Sequence, residues 1–222
     1  MKNPTAKRIP LSRDRVLVAA VEIADVAGID GLTMRAVGDR LGVEAMSLYN
    51  HVANKEALLA GMINAVFAEI HLPVVGAPWR DEVRRRSMSL RDALTRHPWA
   101  IGLMESGLTP GPATLGQHDA VLGVLRTAGF PVALMAHAFS AIDSYTYGFA
   151  LQENGLPFRP GDDVAAMVTA MLAQFPTEAY PHLAEFTREH VAVPGYDYAV
   201  EYVFGLDLLL DGIERMLGEA SR

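Results

Sequence analysis

The side chains able to do covalent or metal chemistry are few in this 222-residue chain, and their spacing does not suit it. There is no cysteine, which removes disulfides, thiolate metal sites and cysteine nucleophiles. The seven histidines are scattered, and none has a second histidine four residues away to complete a helical metal-binding pair. His71 can converge in space with His97 or His118, although such histidines are more often surface groups or satisfied core groups. Asp162 and Asp163 read as helix N-capping rather than as a metal site. No glycine-rich phosphate loop, nucleophile elbow or HExxH helix is present. The expectation is no metal, no cofactor and no catalytic residue. A different grouping lies at 131–153, where His137, Ser140, Asp143, Ser144 and Tyr147 stand amid Met135, Phe139, Ile142 and Phe149. A polar group inside an apolar core must find a partner or cost about 1–3 kcal/mol. That partner can be another side chain, a second subunit or a ligand. Trp99, Met104, Met135 and Phe139 can line an apolar cavity, with an ordinary packed core as the competing reading.

The elements that must position these groups are all helices. Ser12 caps a helix over about 13–27, which Gly28 stops. Thr33 caps a short helix over about 34–41, Gly42-Val43 makes a tight turn, and a third short helix follows over about 44–51. Asn54 then caps a longer helix over about 55–71, ended by Pro73. Prolines and glycines divide the rest into helices over about 79–96, 113–128, 131–153, 163–174, 181–191 and 198–217, with a short one opened by Pro98. No period-two pattern and no repeat competes, so the predicted fold is all-α with about nine or ten helices. Two short helices joined by a glycine turn, behind a longer supporting helix, form the helix-turn-helix arrangement, whose second helix enters the DNA major groove. Glycine suits that bend because it tolerates positive φ. The same pattern also occurs in ordinary bundles.

The segment GLTMRAVGDRLGVEAMSLYNHVANKEALL, Gly31 to Leu59, resembles the TetR family of transcriptional regulators. The second helix and turn "GLTMRAVGDRLGV", the aromatic-bearing "SLYNHV" and the following "NKEALL" occur together in order, and the resemblance covers about residues 12–70. Later stretches, "RHPWA", "LRTAGF" and "FGLDLLLDGIE", are similar to a C-terminal type in the same family. The resemblance implies an all-α homodimer that releases a palindromic double-stranded operator when a small molecule binds its C-terminal domain. It divides the chain into a basic arm at 1–11, a DNA-binding domain at 12–70 and a ligand-binding and dimerisation domain at 75–220. Carried over by position, Ser47, Tyr49 and Lys55 touch phosphates, which fixes register without reading sequence. Thr33 and Arg35 lie at the start of the second helix, and Arg35 reaches backbone or a guanine edge. Ala45, Met46, Asn50 and His51 face base edges, with Asn50 suited to adenine and Ala45 or Met46 to a thymine methyl. A core aromatic is the competing reading for Tyr49, and helix capping for His51. For Lys2, Lys7 and Arg8 it is a solvated tail. Tetracycline-responsive members place a drug-contacting histidine near His71, and a further histidine and a glutamate around magnesium. Met104 and Gln152 stand in that vicinity here, so the magnesium site does not carry over. The expected ligand contacts are His71, Trp99, Met104, Met135, Phe139 and Asp143.

Composition fits this reading. The net charge of −7 argues against a generic nucleic-acid binder, but it is unevenly spread. Residues 1–55 carry eight Lys/Arg and six Asp/Glu, whereas the remainder carries eleven and twenty. A mildly basic head on an acidic body suits DNA contact at one end. The absence of a secretory signal and of a long apolar span predicts a soluble, cytoplasmic protein without membrane contact. The final helix is apolar almost all round, so it needs cover on two sides. A second subunit is an economical cover, and the resemblance likewise implies an interface built from the 131–153 helix and this one. Tyr147, Phe204, Leu206, Leu209, Leu210 and Ile213 are the expected contacts. An enzyme using the helical body, or a protein-interaction module without DNA binding, are the alternatives. The first lacks a convergent acid, base or nucleophile set, and the second is opposed by Arg35, Tyr49 and Lys55.

Overall fold

A computed structural model describes residues 10–104, 106–159, 161–174 and 176–220. Most of the expected basic arm, including Lys2, Lys7 and Arg8, lies outside them. Among the described residues there are eleven α-helices and no strand. The head comprises α1 (Arg13–Ala27), α2 (Met34–Leu41) and α3 (Ala45–Leu48), and α4 (Lys55–Glu69) leads out of it. The body contains α5 (Trp79–Arg96), α6 (Ala100–Met104), α7 (Pro112–Thr127), α8 (Val132–Asn154), α9 (Val164–Leu172), α10 (Pro181–Phe186) and α11 (Ala199–Ala220).

The helix starts follow the capping residues. Ser12 Oγ accepts from the Arg15 N–H at 3.3 Å, Thr33 Oγ1 from Ala36 at 3.0 Å and Asn54 Oδ1 from Ala57 at 2.7 Å. Each satisfies one of the amide donors a helix N-terminus leaves free. The Gly42 φ of +66° ends α2 in the left-handed conformation, as the turn requires. Gly38 matters as much: a Cβ there would lie 2.8 Å from the Val43 carbonyl, so only glycine lets α2 approach the turn this closely.

Val16, Ala20, Leu32, Val37, Leu48 and Leu58 form the head core. The body has two cores, one around Phe130, Tyr202, Leu206 and Leu210, the other around Phe67, Leu90 and Leu94. Helix α4 belongs to both domains, contributing Leu58 and Met62 to the head core and Ile63, Val66 and Phe67 to the body. Two ion pairs, Arg86–Asp143 and Arg91–Glu153, tie α5 to α8. Breaking such a buried pair by removing one partner typically costs about 3–5 kcal/mol.

The final helix resolves into two faces. Tyr202, Leu206, Leu210 and Ile213 are buried in the chain's own core, and the Tyr202 hydroxyl donates to the Ser87 carbonyl at 2.9 Å. Leu206, Leu210 and Ile213 therefore cannot face a second subunit, correcting the expected interface. The outward row is Val200, Phe204, Leu208 and Met216, with Leu209 half-buried between the faces. Tyr147 is also half-buried and turned inward, toward the cavity described below. Among the described residues no helix is long and apolar enough to cross a membrane.

Candidate DNA-reading head and ligand cavity

The head presents α3 and the turn after it on an open surface. Met46 is 75% exposed and Tyr49 43% exposed, so Tyr49 is not a core aromatic. Asn50, Arg35 and Lys55 are exposed, whereas Ala45, Ser47 and His51 are half-buried. Ser47 donates its hydroxyl to the Glu44 carbonyl at 2.6 Å, which leaves its oxygen lone pairs free to accept. Arg35 stands near Asp39 at a loose 4.0 Å. Thr33, expected at the DNA surface, is exposed while its Oγ1 caps α2. Leu48 and Val52, by contrast, are buried and anchor the recognition helix from behind. Arg40 binds Glu22 at 2.6 Å and so clamps α2 to α1.

The second site is a cavity of about 330 Å³ bounded by α4, α6, α7 and α8. Of the six expected ligand contacts, Met104, Phe139 and Asp143 line it. The other three have different roles. His71 lies beyond the end of α4, where its Nε2 is 2.8 Å from Glu82 Oε2 and its N–H donates to Ser89 Oγ at 2.9 Å. Met135 packs against the larger body core. Trp99 sits between head and body, its Nε1–H donating to Asp25 Oδ1 at 2.7 Å. His97 Nδ1 lies 2.7 Å from the same Asp25 oxygen, and its Nε2 is 3.3 Å from the Glu69 carboxylate. The pair His97–Trp99 thus grips α1 of the head immediately before α6.

Of the lining residues that were not expected as ligand contacts, His118 and Thr114 bear most on the chemistry of the cavity. His118 stands edge-on to both Phe67 and Phe139, with ring centroids 5.9 and 5.4 Å away. Burial pushes its imidazole below the usual value, Arg86 acts in the same direction, and Asp143 opposes. Thr114 is buried, and its Oγ1 has no hydrogen-bond partner among the described residues. Their signal was present in the sequence: Thr114, Gln117 and His118 open the same i, i+3, i+4 stripe that Val121, Val124 and Leu125 continue. Among the described residues no group of three or more His, Asp or Glu is arranged so that it could hold a metal ion.

Residues 16–62 match the model of bacterial regulatory proteins of the tetR family, and residues 72–217 that of the tetracyclin repressor-like C-terminal domain. An HTH-type transcriptional regulator of Saccharopolyspora erythraea is 38% identical over 145 residues. That match takes in 65% of this chain but spans only 61% of the regulator's length. The class D tetracycline repressor protein of Escherichia coli is 30% identical over 211 residues, covering 93% of this chain and 91% of the repressor. Apo ActR from Streptomyces coelicolor is a structural neighbour with a TM-score of 0.75 and 25% identity, covering 96% of this chain and 100% of that one. ActR in complex with actinorhodin gives a TM-score of 0.73 at 26% identity, covering 95% and 100%. A head that presents α3 on an open surface, a helical body with a cavity between its helices, and family matches over both place this chain in the TetR family of helix-turn-helix transcriptional regulators.

Proposed function

We propose that the protein is a homodimeric repressor that binds a palindromic operator and is released when a small molecule occupies the cavity of its body. One observation carries this reading: α4 starts with Lys55 beside the recognition helix and lines the cavity with Ile63 and Phe67. At about 1.5 Å per residue, Phe67 lies roughly 18 Å along the helix axis from Lys55. A ligand seated against Phe67 therefore acts on the rod that carries the head. It shifts the equilibrium only as far as it prefers one orientation of that rod. Relatives named as repressors, and a neighbour solved with actinorhodin, support the same assignment.

In this reading Ser47, Tyr49 and Lys55 hold phosphates, with Thr33 and Arg35 beside them. Ala45, Met46, Asn50 and His51 meet base edges. The exposed faces of α8 and α11, with Phe204 at their centre and Leu209 at the margin, join two subunits and so present two heads to two half-sites. The test is a fluorescence-anisotropy titration of full-length protein on duplexes selected from a random pool. Binding should fall steeply with added salt, because phosphate contacts release counterions. Tyr49→Ala should weaken every duplex alike, whereas Asn50→Ala should relax preference at one base pair, worth about 1–3 kcal/mol. Equal affinity for selected and scrambled duplexes at about 0.15 M salt would refute sequence reading.

A further inference from the structure

From the groups lining the cavity we infer the chemical class of the effector: an uncharged, metal-free aromatic molecule bearing a hydroxyl group. The inference rests on the assignment of this cavity as the effector site. Its apolar wall sets three aromatic rings and a thioether, Phe67, Phe139, Tyr147 and Met104, beside the aliphatic Ile63, Leu103 and Leu108. Such walls favour a ring, which meets aromatic edges and polarizable sulfur. The volume of about 330 Å³ lies at the low end of ligand cavities, enough for a small ring system rather than a long chain.

Charge excludes the ionic alternatives. Among the described residues that line the cavity, Asp143 is the only Asp, Glu, Lys or Arg, and the Arg86 guanidinium behind it donates to both of its carboxylate oxygens. An anion entering the cavity would meet that carboxylate with no free cation to offset it. A cation would compete with Arg86, which is already 99% buried against the same group. His118 adds no charge at neutral pH, since burial holds its imidazole below the usual value. For a metal carried by a chelating ligand, the described lining offers only His118 and Asp143, and Arg86 already holds both oxygens of Asp143.

Hydrogen bonding then calls for the hydroxyl. Thr114, 93% buried, is one of the cavity-lining residues, and its Oγ1 has no hydrogen-bond partner among the described residues. A buried hydroxyl left unmatched costs about 1–3 kcal/mol, so a ligand that matches it recovers that amount. The Asp143 carboxylate accepts only, and a neutral His118 offers one donor and one acceptor. A ligand hydroxyl, both donor and acceptor, can serve any of the three, whereas a carbonyl can satisfy only the donors.

Three bicyclic probes separate these features: β-naphthol, naphthalene and β-naphthoate share a skeleton and differ in hydroxyl and charge. In equilibrium dialysis against the full-length protein, β-naphthol should bind at least about tenfold tighter than either of the others. Thr114→Val should cost β-naphthol most of that advantage while leaving naphthalene unchanged or tighter, and Thr114→Ser should restore it. Phe139→Trp, which fills the space, should abolish binding of all three. If β-naphthoate binds tightest, or naphthalene equals β-naphthol, the inferred class is wrong while the cavity assignment stands. If none of the three binds, or binding survives Phe139→Trp, both fall.

Discussion

At the scale of single residues, the polar groups of the body are spent on holding helices together more than on binding. Glu82 illustrates this, for it receives His71, the Val74 N–H at 2.9 Å and Arg85 at 2.6 Å. The His71 hydrogen bond, followed by the Val74 amide, holds the carboxyl below its ordinary value against the opposing effect of burial. A carboxyl whose value is lowered by folding contributes stability that is complete above its unfolded value of about 4.3. That contribution is lost as pH falls from there through the lowered folded value. Glu82→Gln should therefore flatten the acid limb of stability, and urea midpoints measured from neutrality down through pH of about 3 should show it. An acid limb identical to wild type would mean that Glu82 is not a stabilising carboxylate. Sequence alone could not supply these pairings. The spacing that marks Tyr49 and Lys55 is local to one motif, but His71 meets Glu82, and Arg86 meets Asp143, only after separate helices have packed. His71 read as a ligand contact because family position fixed its address along the chain, and not the direction of its ring.

At the scale of elements, boundaries were legible and faces only partly so. Ser12, Thr33 and Asn54 mark helix starts because a short polar side chain before an apolar stripe has one economical use. The final helix defeats that logic. Apolar residues surround it, so periodicity cannot say which row its own subunit covers, and Leu206 and Leu210 look the same as Phe204 until α5 and α8 are in place. The two rows should respond oppositely to substitution. Leu210→Ala removes a fully buried side chain and should cost about 2–5 kcal/mol of folding stability. Phe204→Asp changes a side chain 66% exposed in the single chain, so the fold should survive while self-association is lost. Denaturant unfolding and sedimentation of the two variants check this pair of outcomes. A Phe204→Asp protein that remains a dimer at micromolar concentration would move the subunit interface elsewhere.

At the scale of the whole molecule, an acidic body and a mildly basic head suit the proposed DNA contact at one end, while α4 connects that end to the cavity. Coupling between two binding sites is reciprocal: operator must weaken an effector by the factor by which the effector weakens operator. Calorimetric titration of β-naphthol, with and without saturating operator, should return that common factor, and unchanged affinity would remove α4 from the mechanism. The division of α4 between two cores also bears on how freely such proteins can be recombined. A chimera joining a foreign reading head to this sensing body cannot take its seam from the end of α4. A seam after Glu69 would replace Ile63 and Phe67 in the cavity region, and one before Lys55 would leave foreign head helices against this chain's Leu58 and Met62. A seam between Met62 and Ile63 parts the buried α4 residues of the two cores, but it exchanges Ala60 of the cavity lining, and the incoming head must still pack against Trp99 and supply an acid where Asp25 meets His97 and Trp99. Biosensors assembled by exchanging heads would thus inherit their sensitivity from the point of joining as much as from either part.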